Sequence, residues 1–263
     1  MQHILATVRK RRLVFELARN DFRARYTGSL MGTGWAFAQP ILTILMYLFV
    51  YRVAFRGAAA PDGVPFVIWM VVGITPWFFF AEATATSTTA FTEYSFLVKK
   101  IPFDLAIVPS IKVMSSALIH AVVWLIVVVI VAASGFAPAL AWLQVFYYFI
   151  ALAALVSGIG LLTASITPFF RDTSHVIGVA LQFMFWLTPI GWSIGNVPAP
   201  YDRILKLNPV YYIVEGLRDA LLHDRTFWSR PALSGYFWGF VIVCHLVANA
   251  LFRRLRPHIA DVL

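Results

Sequence analysis

Charge is scarce in this chain. Asp, Glu, Lys and Arg make up 13% of its 263 residues, about half the share usual in soluble domains, and 60% of residues are hydrophobic. A soluble globular fold does not fit that balance. Cysteine is almost missing: Cys244 stands alone inside an apolar run. There is thus no disulfide framework and no C-x-x-C metal or redox site, and Cys244 reads as a small buried hydrophobe. No glycine is followed by lysine, so the G-x-x-x-x-G-K-[ST] phosphate loop is absent and the chain is not its own ATPase. The H-E-x-x-H and G-x-G-x-x-G patterns are missing too. The start of the chain carries Arg9, Lys10, Arg11 and Arg12 without the apolar region and cleavage site of a signal peptide, which predicts that the mature chain begins here.

What is present is a set of apolar runs near membrane-spanning length. They predict an all-α membrane protein, one domain over 1–263, with six spans near 32–52, 65–86, 108–133, 142–166, 176–195 and 233–252. The net charge is +9, but 14 of the 21 Lys and Arg lie beside predicted span ends on one side. That is a topology signal rather than a nucleic-acid surface, and it predicts both termini on the cytoplasmic side. Trp142, Trp192, Trp228 and Trp238 fall near the predicted outer boundaries, where amphipathic rings prefer to sit. Ala153, Ser157, Gly160 and Ala164 form a small-residue seam for close helix packing.

Three segments are not simple spans. Residues 3–27 predict an interfacial amphipathic helix: Arg12, Glu16, Arg19 and Arg23 share one face, and Val14, Ala18, Phe22 and Tyr26 share another. Asp21 and Arg25 intrude near the apolar side at a spacing that lets them pair. The arginines serve either as a topological anchor or as a collector of anionic head groups and phosphates. The cytoplasmic segment 87–107 places Phe96, Leu97, Val98 and Ile101 beside Lys99 and Lys100, ahead of Pro102 and Asp104, and suits docking to a cytosolic partner. The loop 196–232 contains Asn208-Pro209, an N-cap followed by a first-turn proline, and then an apolar stripe of Val210, Ile213, Val214, Leu217 and Leu221. Glu215, Arg218 and Asp219 lie off that stripe, which predicts a half-buried helix dipping back towards the bilayer.

Glu82, Lys112, His120 and His245 are the ionisable residues inside spans. Glu82 and Lys112 match in depth, which predicts a structural ion pair between them. Gly191-Trp-Ser193-Ile-Gly195 has the form of a serine nucleophile elbow, but it ends a membrane helix rather than joining strand to helix, and His245 lies too deep to serve it. No catalytic residue and no metal ligand set is assigned.

The ordered segments resemble the membrane subunits of ABC-2 type polysaccharide exporters, nearest to the O-antigen group. The likeness rests on Gly34-Trp35 with Gln39-Pro40, Gly73-Ile-Thr-Pro-Trp-Phe-Phe-Phe80, Lys99-Lys100-Ile-Pro-Phe103, Phe169-Phe-Arg-Asp172, Phe185-Trp-Leu-Thr-Pro-Ile190 and Asn208-Pro209. It implies a homodimer in the bacterial inner membrane, working with two copies of a cytosolic ATPase subunit that binds the ATP and Mg; this chain carries no cofactor. It also implies that Phe96 to Asp104 form the coupling helix. Arg12, Arg19, Arg23 and Arg25 would lie near the pyrophosphate of an undecaprenyl-linked polysaccharide. Tyr201, Asn208, Pro209 and Tyr211 belong to the outer gate. For a long glycan moving through a channel at the dimer interface, aromatic faces give contact without fixed hydrogen bonds, and Tyr47, Tyr51, Phe183 and Trp186 are the expected lining. The alternative is an ion- or proton-coupled carrier of a small solute using Glu82 and His120.

Overall fold

The structure is a computed structural model and describes residues 2–28, 30–53, 63–96 and 104–263. Every regular element among them is helical. The amphipathic start is two helices rather than one, α1 (Gln2–Arg9) and α2 (Arg11–Tyr26), broken at Lys10, whose backbone leaves the helical region. The break is held by long-range contacts: Lys10 Nζ donates to Asp104 at 3.1 Å, and the His3 backbone N–H donates to Asn249 Oδ1 at 3.2 Å.

The apolar helices follow as α3 (Trp35–Val53) and α4 (Phe66–Thr88), then a short α5 (Ala90–Glu93), α6 (Val108–Ala133), α7 (Gln144–Ile166) and α8 (Thr173–Leu187). After them come α9 (Tyr201–Leu205), α10 (Pro209–Leu222) and the closing α11 (Pro231–Val262). Among the described residues four segments are long and apolar enough to cross a membrane: Phe66–Thr88, Leu105–Ala133, Leu140–Ile166 and Pro231–Ile259. α8 departs from the run expected at 176–195. It has 15 residues, about 22 Å at 1.5 Å per residue, against a hydrocarbon core of about 30 Å. Pro189 accounts for the stop, because it disfavours helical backbone at Thr188, which is extended (φ −94°, ψ 130°).

The main core forms where α4, α6, α7 and α10 meet, with Phe79, Trp124, Leu152, Leu155, Ile213 and Leu217 buried together. The small-residue seam brings backbones close. A methyl built on Gly160 would stand 2.6 Å from Ser87 Cβ, so α7 can approach α4 only with glycine there. α10 overturns the half-buried expectation. Its stripe is buried, but so are Tyr211, Tyr212, Arg218 and Asp219, because α4, α7 and α11 all pack against it.

Candidate functional site

At the end of the bundle carrying the N-terminal helices, α2 lies against α6. Val14 and Ala18 bury against Ile107 and Ile111, and Phe22 packs near Ala36, Ile119 and Val123; the side chain of Tyr26 lies outside the described set. The apolar stripe therefore covers protein, which leaves Arg12, Arg19 and Arg23 exposed on the other face. Arg25 has a different setting. It pairs with Asp21 at 3.0 Å, as its spacing indicates, and its Nη1 donates to Glu82 Oε1 at 2.8 Å. Glu82 also accepts from Ser116 Oγ and His120 Nε2, each at 3.0 Å.

The pairing of Glu82 with Lys112 is not formed. Lys112 Nζ donates instead to Asp21 Oδ1 at 2.6 Å and to Glu93, with the Tyr94 ring 5.2 Å away. α2 supplies a counter-charge to each: Asp21 to the lysine, beside Glu93, and Arg25 to the glutamate. Burial by itself would raise the Asp21 carboxyl, yet the bond and charge of Lys112, with Arg25, hold it below the ordinary carboxylate range. Tyr94, which donates to Asp21 at 3.1 Å, is pushed up by burial and by that carboxylate.

Of the residues expected to dock a partner, Phe96 is exposed at the end of the described stretch. Asp104 accepts from the Ala106 backbone N–H at 3.3 Å and from Lys10. Leu97, Val98, Lys99, Lys100, Ile101 and Pro102 lie outside the described residues.

At the opposite end, Asn208 caps α10: its Oδ1 accepts from the Val210 N–H at 2.9 Å, and its Nδ2 donates to Thr188 Oγ1 at 2.8 Å. Pro209 occupies the first turn, Tyr211 is buried and Tyr201 on α9 is exposed. The residue that sequence reasoning missed is Arg218. It is 1% exposed and lies 3.4 Å over the Trp69 ring. It donates to the carbonyls of Trp69 (3.2 Å), Pro189 (2.7 Å) and Ile190 (2.7 Å), and to Glu215 Oε1 (2.7 Å). The Pro189 and Ile190 carbonyls follow the α8 stop and the Trp69 carbonyl belongs to the first turn of α4, so one guanidinium ties α10 to both α4 and the segment after α8. Gly73 was the available signal, since a methyl there would stand 2.2 Å from Arg218 Nη2.

Two helices stay largely uncovered. α8 has no buried residue, with Phe183 69% and Trp186 60% exposed, and along α3 Ile41, Leu45 and Phe49 are exposed. Tyr47 stacks on Phe185 at 5.5 Å, and Tyr47 and Trp186 line one crevice; the Tyr51 side chain lies outside the described set. Ser193 Oγ accepts from the Gly195 N–H, and His245 Nε2 sits on Ser157 at 3.1 Å, so His245 does not serve the elbow-like motif.

Among the described residues, four segments long and apolar enough to span a bilayer, a charge-latched N-terminal helix and two uncovered apolar helices define a helical membrane domain. The chain belongs to the ABC-2 type transporter family, whose model matches residues 12–222. It is similar to the O-antigen export system permease protein RfbA of Klebsiella pneumoniae, 23% identical over 252 residues that cover 95% of each chain. The protein of that name from Myxococcus xanthus is 24% identical over 256 residues, again 95% of each. The polysialic acid transport protein KpsM of Escherichia coli is 23% identical over 234 residues, 89% of each.

Proposed function

We propose that this chain is the permease subunit of an ATP-driven exporter that moves a lipid-linked, O-antigen-like polysaccharide out of the cytoplasm across the bacterial inner membrane. The observation that carries this reading is likeness to export permeases over 95% of the chain. Two copies assemble through the uncovered faces of α3 and α8, and the glycan passes between them along Tyr47, Tyr51, Phe183 and Trp186. With α3 and α8 counted, six membrane segments put both termini on the cytoplasmic side, in keeping with the basic excess there. The segment around Phe96 to Asp104 seats in each of two ATPase subunits, which hold the ATP and Mg. Arg12, Arg19 and Arg23 face the pyrophosphate of an undecaprenyl carrier, and α9 and α10 form a re-entrant outer gate hung from Arg218.

The ion-coupled carrier is less favoured. Glu82 accepts from Arg25, Ser116 and His120, an arrangement that ties α2 to α4 and α6 and is accounted for as a structural latch. Deleting the gene in its host tests the main reading. It predicts loss of surface glycan with lipid-linked glycan accumulating inside, both restored by the intact chain. Unchanged surface glycan would overturn it.

A further inference from the structure

Beside the charge latch, α2, α3, α4 and α6 enclose a cavity of about 420 Å³, within the range of about 300–1,000 Å³ usual for small-molecule sites. Two chemistries share its wall. Trp35 and Phe78 bring aromatic surface, while Gln39, Arg25, Glu82 and His120 bring polar groups. Glu82 has about four acceptor positions on its carboxylate, and three are filled by Arg25, Ser116 and His120. Its side chain is 32% exposed, so the remaining acceptor position opens on the cavity. The Gln39 amide, exposed on α3, adds both donor and acceptor.

We propose that this cavity is a saccharide site for a neutral pyranose unit of the exported glycan. A sugar ring has apolar CH faces that suit Trp35 and Phe78, and hydroxyl donors that suit the open acceptor of Glu82. Charge excludes the other ligand of such a substrate, its phosphate. Of the charged side chains that line the cavity, Arg25 is already paired with Glu82, and the neighbouring Lys112 is paired with Asp21 and Glu93, so among the described residues no unpaired Lys or Arg lines it for a phosphate. The exposed arginines of α2 remain for the anionic group, and the cavity takes the sugar beside it. This assignment deepens the polysaccharide-export reading and rests on it.

The test uses the full permease in lipid nanodiscs with its ATPase, titrated calorimetrically with short oligosaccharides released from the host's own glycan by mild acid. Trp35→Leu and Gln39→Ala are the variants, since both side chains line the cavity, and the mass of the complex checks that each variant still assembles. The expected result is saturable binding, weakened about fivefold or more by either change, the scale of one hydrogen bond or stacking contact, and not displaced by inorganic pyrophosphate. Equal affinity in wild type and both variants overturns the site, as does absence of binding or displacement by pyrophosphate. The deletion strain separates the two claims. Loss of surface glycan on deletion leaves export standing when the site fails, whereas retained surface glycan removes export itself.

Discussion

Arg218 concentrates more buried polar contact than any other described side chain, and its energetics follow from what surrounds it. The Pro189 and Ile190 carbonyls are buried beside it, so removing the guanidinium leaves both without that donor and takes the counter-charge from Glu215. Arg218→Ala should destabilise the purified permease by about 3–5 kcal/mol, the range for breaking one side of a buried charge pair, read as a fall in thermal unfolding temperature. Gly73→Ala should act in the same direction by pushing the guanidinium off Trp69. An unchanged midpoint in both variants would show that the clamp holds nothing. Lys112 gives a second case. Lys112→Met alone leaves Asp21 short of a partner, while Lys112→Met with Asp21→Asn removes both charges. The double variant should therefore be more stable than the sum of the two single losses implies, and strict additivity would show no coupling.

Helices α1 and α2 behave as a latch rather than a float. His3 is buried with Ser110 Oγ 2.9 Å from its Nε2, and burial first, then nearby His245, push its pKa from 6.5 down to about 4. A depressed pKa means the docked state prefers the neutral ring. Docking is at full strength above about pH 6.5 and is lost progressively as pH falls towards 4, by up to about 3 kcal/mol. Protection of the amides of residues 2–9, measured as exchange relative to the intrinsic rate at each pH, should fall steeply between about pH 7.5 and 4.5, and His3→Gln should flatten the change. Equal protection at both pH values would contradict the linkage. Local chemistry made some of this legible beforehand. Asn208-Pro209 read as a helix start because an N-cap and a first-turn proline need only near neighbours, and Asp21 with Arg25 needed only helical spacing. Glu82 and Lys112 show where the sequence stops: the azimuth of a side chain about its helix is not legible, and α2 gives each of the two a different partner. Arg218 lay off an apolar stripe and looked solvated, because the carbonyls that satisfy it come from residues far away in sequence.

In the whole molecule, the bare faces of α3 and α8 show Leu45, Phe49, Phe183 and Trp186 to the outside. Under the proposed function a second copy covers them and the glycan passes along the aromatic rings. Alanine at Tyr47, Tyr51, Phe183 and Trp186 together should stop export while the complex still assembles; normal export would remove the aromatic lining. Partner docking is read separately. Charge reversal at Lys99 and Lys100 with Phe96→Asp should abolish both ATPase binding and export, with the permease still in the membrane. Unimpaired export would place the contact elsewhere. The most direct measurement is the mass of the complex purified from its host in mild detergent. Two copies of this chain with two copies of an ATPase subunit is the predicted result. Recovery of this chain alone, with no ATPase bound, would contradict the account.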